Sequence, residues 1–239
     1  MDFYNLFSRY YDDIFRPDAD LAAFISERLK AAGVSEVLDI GCATGGYSDL
    51  FSRNGFKVSG IDLSENMIEQ AEKKSELSGI KFNVLDMRKI GTFYPESKFG
   101  AVLILGNTLV HITDDSEFAG FFQSVFRTLQ HNGIIFIQLI NYDHFIKNKI
   151  RDLPEITGES LSFKRRYNYS GDKSVIFNTE ITEKISGKKF DNSILINPVR
   201  KNYVTEVLSE CGFRNMSVFS GSGSQYNPNS VSILISAEK

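Results

Sequence analysis

Apolar positions first recur at helical spacing. Later they gather into short runs that alternate with helical segments. Residues 3–15 and 18–32 read as two helices, the second carrying Leu21, Phe24, Ile25 and Leu29 on one face. Gly33 is placed to end it. Residues 36–40 then form a short apolar strand, 47–54 a helix closed by Gly55, and 57–61 a second strand. Residues 64–75 read as a helix with Ser64 as N-cap and Met67, Ile68 and Ala71 on its apolar side. Residues 81–85 give a third strand. Residues 101–105 give a fourth, apolar throughout, as suits a parallel strand covered on both faces. Residues 117–129 form a helix that buries Phe118, Phe121, Phe122, Val125, Phe126 and Leu129, and 133–139 a fifth strand. This alternation predicts a parallel sheet with right-handed crossovers.

The pattern changes after about residue 150. Residues 161–169, 174–185 and 188–196 alternate with period two, as in Val175, Phe177, Thr179 and Ile181. Gly171-Asp172 and Ser186-Gly187 lie between them as turns. Residues 200–210 return to helix, ended by Gly212, and 213–219 and 230–237 read as a strand pair. The expected fold is α/β, with a mostly parallel seven-stranded sheet, helices on both faces and a small antiparallel β insertion after strand five. The expected organisation is a core over 1–150, an insertion over 151–199 lying across the active site, and a completion of the core over 200–239.

Composition narrows the class without changing the fold. The chain has 239 residues, 42% hydrophobic and 24% charged, with a formal net charge of −3, the balance of an ordinary globular domain. No excess of Lys and Arg offers a nucleic-acid or anionic-membrane surface, so neither partner is expected. Cys42 and Cys211 are too few for a disulfide framework and show no metal-site spacing, so no metal is expected. The opening Met1-Asp2-Phe3-Tyr4-Asn5 lacks the basic region and apolar core of a secretory signal. No apolar run approaches the ~20 residues of a membrane span. The expected compartment is the cytoplasm. Tryptophan is absent, and 20 Phe and 10 Tyr supply the aromatic packing.

Candidate chemistry sits at three successive strand ends. The first ends Asp39-Ile40-Gly41-Cys42-Ala43-Thr44-Gly45-Gly46, a glycine-rich turn that lets a ligand approach backbone and the N–H groups of the next helix. The second ends in Asp62, 21 residues beyond Gly41, where a carboxylate can accept from ribose hydroxyls. The third ends Leu85-Asp86-Met87-Arg88. Asp86 could accept from an adenine amino group while Met87 packs on the ring. Singly these could be a tight turn, a helix cap and a solvated loop acid. Together they line one rim of the sheet, where open α/β folds bind ligands.

Asp39-x-Gly-Cys-x-Thr-Gly resembles the nucleotide-binding signature of class I S-adenosylmethionine-dependent methyltransferases, and Asp62 and Asp86-Met87 match that family's ribose and adenine positions. Ala43 departs from the usual glycine; a nicotinamide-binding Gly-x-Gly-x-x-Gly loop would need glycine there. The resemblance implies S-adenosyl-L-methionine as cofactor. It places Asp39, Gly41, Cys42, Ala43, Asp62, Leu63, Met67, Asp86, Met87 and Leu105 around it. Leu105-Gly106-Asn107-Thr108-Leu109-Val110-His111 and Asn141-Tyr142-Asp143 further resemble the glycine N-methyltransferase branch. Aminosugar N-methyltransferases are similar in length and carry a β insertion in the same place. Tyr10-Tyr11-Asp12 and Arg16 also resemble that branch, whose N-terminal helix covers the cofactor. There Tyr11 is a cofactor and positioning residue, and Arg16 pairs with the methionyl carboxylate.

The branch implies an amine acceptor, with Asn107, Tyr142 and Tyr11 positioning it. Its carboxylate-binding arginine, immediately before Asn-Tyr-Asp, is Ile140 here, which argues against free glycine. An oxygen acceptor would need a base, for which His111 is placed; His111 could equally be a structural residue of its loop. His131 and His144 read as surface residues, and Cys42 as a loop residue rather than a nucleophile. Lys164-Arg165-Arg166 reads as the solvated side of an insertion strand, or as a grip on an anionic substrate, with Phe163, Tyr167 and Tyr169 alternating towards the site. A protein that binds the cofactor without transferring its methyl is the remaining reading. The expected partner is a small-molecule methyl acceptor, and the expected state a monomer or homodimer.

Overall fold

The computed structural model describes residues 7–75, 79–169 and 174–239. The chain opens on helical residues 7–9 and helix α1 (Tyr11–Ile14) rather than one continuous helix through residue 15. The expected start at residue 3 lies outside the described residues. Helix α2 (Ala19–Ala31) is capped by the Asp18 carboxylate, which accepts from Asp20 and Leu21 N–H. It buries Leu21, Ile25 and Leu29.

The regular alternation follows: β1 (Glu36–Ile40), α3 (Gly46–Arg53), β2 (Lys57–Asp62), α4 (Glu65–Lys74), β3 (Lys81–Val84), α5 (Ile90–Phe93), β4 (Phe99–Ile104), α6 (Asp115–Thr128) and β5 (Leu129–Ile140). Ser64 caps α4 as expected, its hydroxyl accepting from Met67 N–H. Helix α7 (Tyr142–Lys147) follows β5 and was not foreseen; the Asn141 side chain caps it by accepting from His144 N–H. After four insertion strands, α8 (Lys201–Glu210), β10 (Arg214–Ser220) and β11 (Ser232–Glu238) complete the chain.

The main sheet has seven strands in the order β10-β11-β5-β4-β1-β2-β3. β1, β2, β3, β4 and β5 pair in parallel, and β11 runs antiparallel between β5 and β10. β4 is buried at every position, as its unbroken apolar run requires. The chain reverses direction in strand order at β1 and β4, so the carboxyl ends of these central strands frame a crevice.

The insertion is a separate antiparallel sheet of β6 (Asp152–Thr157), β7 (Leu161–Tyr169), β8 (Val175–Glu183) and β9 (Lys189–Ile196). It has one more strand than the alternation predicts. β6 carries Pro154 and shows only a weak apolar alternation, and its pairing with β7 is irregular between Leu153 and Ile156. The expected Gly171-Asp172 turn lies outside the described residues. Odd-numbered residues of β7 face inward. Leu161 and Phe163 pack with Ile14 and Ile181, and Tyr167 joins the main core with Val175 and Ile196. The insertion thereby touches both the N-terminal helix and the body of the sheet. No described helix is long and apolar enough to cross a membrane.

Candidate active site

The glycine-rich turn is shaped by what lies against it. Gly41 has φ +72°, and a Cβ there would fall 2.4 Å from the Thr108 side chain beyond β4. Gly45 has φ +79°, and a Cβ there would meet the ring of Phe82 on β3. Ala43 takes the left-handed conformation at φ 47°, so its departure from glycine leaves the turn intact. Beneath the turn, Asp39 is buried at 2% exposure and accepts a 2.6 Å hydrogen bond from the Ser48 hydroxyl of α3. Burial lifts its carboxyl pKa to about 6. Asp39 thus ties turn to helix from below. Cys42 is also buried, and burial raises its thiol well above the ordinary value. That removes the thiolate a nucleophile would need.

Asp62 ends β2 with its carboxylate turned to the turn. Oδ2 accepts from Ala43 N–H at 2.9 Å and Oδ1 from Ser64 N–H at 2.9 Å, and Leu63 N–H adds a third contact. A carboxylate has about four acceptor sites, so at least one stays open to a hydroxyl. Burial outweighs these bonds and raises the Asp62 pKa. The Asp62 charge in turn acts on both Tyr11 and His111. The N-terminal helix, the end of β2 and the turn after β4 therefore converge on one space.

The N-terminal segment is fastened to the turn. Thr44 Oγ1 donates to the Asp12 carboxylate at 2.5 Å, which also pairs with Lys74. Tyr47 OH accepts from Asp18 N–H, and Pro17 packs where Gly46 leaves room. Tyr11 is held between Asp62, Asp12 and Asp39, and burial with these charges pushes its phenol far above the ordinary range. Arg16 stands exposed at the rim beside Pro17. The third strand end differs from expectation. The Asp86 carboxylate caps the short 3-10 turn Met87–Lys89 and is gripped by the Arg88 guanidinium, which also reaches Glu117. This holds Asp86 below the usual carboxylate range. Met87 is half-buried against the core, Met67 and Leu105 are buried, and Leu63 is 70% exposed at the end of β2.

Across the crevice, Gly106 and Asn107 adopt φ +68° and +70° in succession. This turn aims the Asn107 amide at the end of β5. Its Oδ1 accepts from Ile140 N–H at 3.0 Å, and its Nδ2 donates to Tyr142 OH at 3.1 Å. Tyr142, 1% exposed, is further hydrogen-bonded to Tyr167 of β7. Tyr142 therefore stands behind Asn107 and Tyr167 rather than in the crevice. Burial raises both phenols, Tyr167 to about 12. Ile140 is half-buried and packed on the core. His111, on the 3-10 turn after Asn107, is exposed at the mouth; surrounding protein lowers its pKa while Asp62 opposes the shift.

Two contributors escaped the sequence reading, Phe82 and Ser48, and Thr108 was read there only as part of a run. Each acts by filling space or holding a partner, and neither Phe82 nor Ser48 carries a motif of its own.

Residues 37–133 match a methyltransferase domain family. A putative methyltransferase of Geobacillus sp. (strain WCH70) is 29% identical over 157 residues, 62% of this chain and 62% of that protein. The chain thus aligns with less than two thirds of that relative's length. A glycine/sarcosine N-methyltransferase of Aphanothece halophytica is 26% identical over 206 residues, 82% of this chain and 72% of that protein. The S-adenosylmethionine-bound structure of an amino pentose methyltransferase from Micromonospora echinaspora superposes with a TM-score of 0.75 at 18% identity, covering 98% of this chain and 97% of the other. The site's residues suit that cofactor: Asp62 keeps acceptor capacity for a ribose hydroxyl, and Leu63 offers uncovered apolar surface to a base. The fold and the strand-end site are similar to those of S-adenosylmethionine-dependent methyltransferases, and residues 37–133 carry the matched methyltransferase domain.

Proposed function

We propose that the chain transfers the methyl group of S-adenosylmethionine to the nitrogen of a small-molecule amine. The bound cofactor supplies an already activated methyl group, so the protein's task is chiefly to position the acceptor. The observation that carries the reading is the wall opposite the strand ends. Tyr142 and Tyr167 are held protonated by burial, and Arg165 stands beside Tyr167. A poorly solvated wall disfavours an ammonium and favours the free amine, whose lone pair is the nucleophile. Asn107 fixes this wall to the end of β4. Asp62 and Leu63 would hold the nucleoside, and Tyr11 would close over it. The names of the Aphanothece and Micromonospora proteins support the amine reading. Ile140 argues against free glycine, since it offers a carboxylate no partner. The insertion sheet is the acceptor's cover in this reading.

A second reading rests on His111. Its lowered pKa leaves it neutral near pH 7 and able to take a proton from a hydroxyl. Labelled cofactor with glycine, sarcosine, larger primary amines, aminosugar nucleotides and phenols separates the two. Turnover of the larger amines, changed less than about threefold by His111→Ala, is expected. Turnover of phenols alone, abolished by His111→Ala, makes the enzyme an O-methyltransferase. Cofactor binding with no transfer to any of them leaves a binding protein.

A further inference from the structure

Strand β7 sorts its three consecutive cations by face. Lys164 lies within 3.8 Å of Glu180, and Arg166 pairs with Asp152 at 2.6 Å; both are exposed. Arg165 points the other way, between Phe163 and Tyr167 on the inward face. Among the described residues it forms no ion pair. Its Nη2 donates to the Pro154 carbonyl at 3.0 Å, while its Nε is buried with no hydrogen-bond partner. A buried, unpaired guanidinium N–H is disfavoured unless a ligand completes it. The rings of Phe15 and Phe163 flank the guanidinium at 6.0 and 5.8 Å, and such aromatic faces hold a cation without neutralising it.

The position of Arg165 says what that ligand belongs to. On one side, Phe15 packs on Tyr11 at 5.1 Å, and Tyr11 senses Asp62 at the end of β2. On the other, Tyr167 bonds to Tyr142, which bonds to Asn107. Arg165 therefore lies between the two walls of the crevice on the insertion side, two tyrosines removed from the Asn107 end. We propose that Arg165 is an anion subsite for the methyl acceptor. The acceptor then carries a carboxylate or phosphate group remote from its reacting nitrogen. This deepens the amine reading and rests on it for what the anion is attached to. A planar guanidinium edge suits either oxyanion. Nε is shielded in this structure, so the anion's entry displaces Phe15, which ends a four-residue helix.

The test uses the full chain saturated with S-adenosylhomocysteine, titrated at constant ionic strength with sodium acetate and, separately, sodium pyrophosphate. The readout in 1H–15N spectra is the Arg165 Nε–H signal where the arginine is present and the Tyr167 backbone amide in every variant, with the dissociation constant from the shift. Saturable binding of one anion is expected, and the better of the two names the source. Arg165→Gln should weaken it at least about tenfold, Arg165→Lys by less, and Arg166→Gln by under about twofold. Arg165→Met, which keeps the apolar stem between the rings, replaces Gln if that variant fails to fold. If neither folds, the wild-type Nε signal decides alone. Failure of both anions to move that signal, wild-type binding in Arg165→Gln, or an equal loss in Arg166→Gln overturns the proposal. Because no methyl transfer is involved, a failed amine panel leaves this result standing. Amine turnover that persists without anion binding sinks this inference only.

Discussion

The two walls of the crevice are built by different means. On the β1–β2 side, short-range backbone geometry does the positioning. A left-handed turn points Ala43 N–H at Asp62, and Asp62 collects two more N–H groups from residues that immediately follow it. On the insertion side, side chains far apart in sequence hold one another: Asn107 to Tyr142, Tyr142 to Tyr167, and Phe163 to Phe7 and Phe15. A wall of the first kind binds a constant ligand, because moving one residue breaks several backbone bonds. A wall of the second kind can exchange side chains and keep its strands, so on the proposed reading acceptor choice falls there.

Three changes sharpen that contrast. The largest effect is expected from Asp62→Ala, which removes a charged acceptor shared by ligand and turn. Cofactor affinity should fall about 100-fold or more by calorimetry, and Asp62→Asn should recover part of the loss. Unchanged affinity in Asp62→Ala would break the assignment of this wall to the cofactor.

Next is the buried acid below the turn. The folded Asp39 carboxyl protonates near 6 against an ordinary value of 3.8. The native state therefore binds more protons than the unfolded state between those values, and stability falls as pH rises through that window. Asp39→Asn removes this loss. Its stability relative to wild type, from urea melts, should rise by on the order of 2 kcal/mol between pH 3.5 and 7. A pH-independent difference would show that burial does not perturb the carboxyl.

The smallest effect is expected from Asn107→Gly, which keeps the left-handed backbone and deletes both side-chain hydrogen bonds. Turnover should fall about tenfold with cofactor affinity changed less than about twofold. Equal losses in both would mean that the walls are not separate.

The first wall was legible because its parts are local. Gly41, Ala43, Asp62 and the Ser64 cap sit at strand ends that hydrophobic periodicity already locates, and the parallel core follows from the same pattern. The second wall was readable only in fragments. Asn107 and Tyr142 stood out by resemblance, but nothing in their spacing shows that Tyr142 lies buried behind Asn107. The period-two rhythm of β7 put Phe163, Arg165 and Tyr167 on one face without saying which cation goes unpaired. Asp86 looked free because Arg88, two residues on, can turn outward or back; the structure turns it back. β6 was missed because its exposed, Pro-bearing edge leaves almost no alternation to detect.

Phe163 has a mechanical meaning. Its ring sits on β7 yet packs on Phe7 and Phe15, 5.8 and 5.6 Å away, while Gly158 at the β6–β7 turn lies where a Cβ would touch Asp13. The segment carrying Tyr11 and the sheet carrying Arg165 are thus latched to each other. Neither can swing out without disturbing the other, so any opening of this wall moves both segments at once.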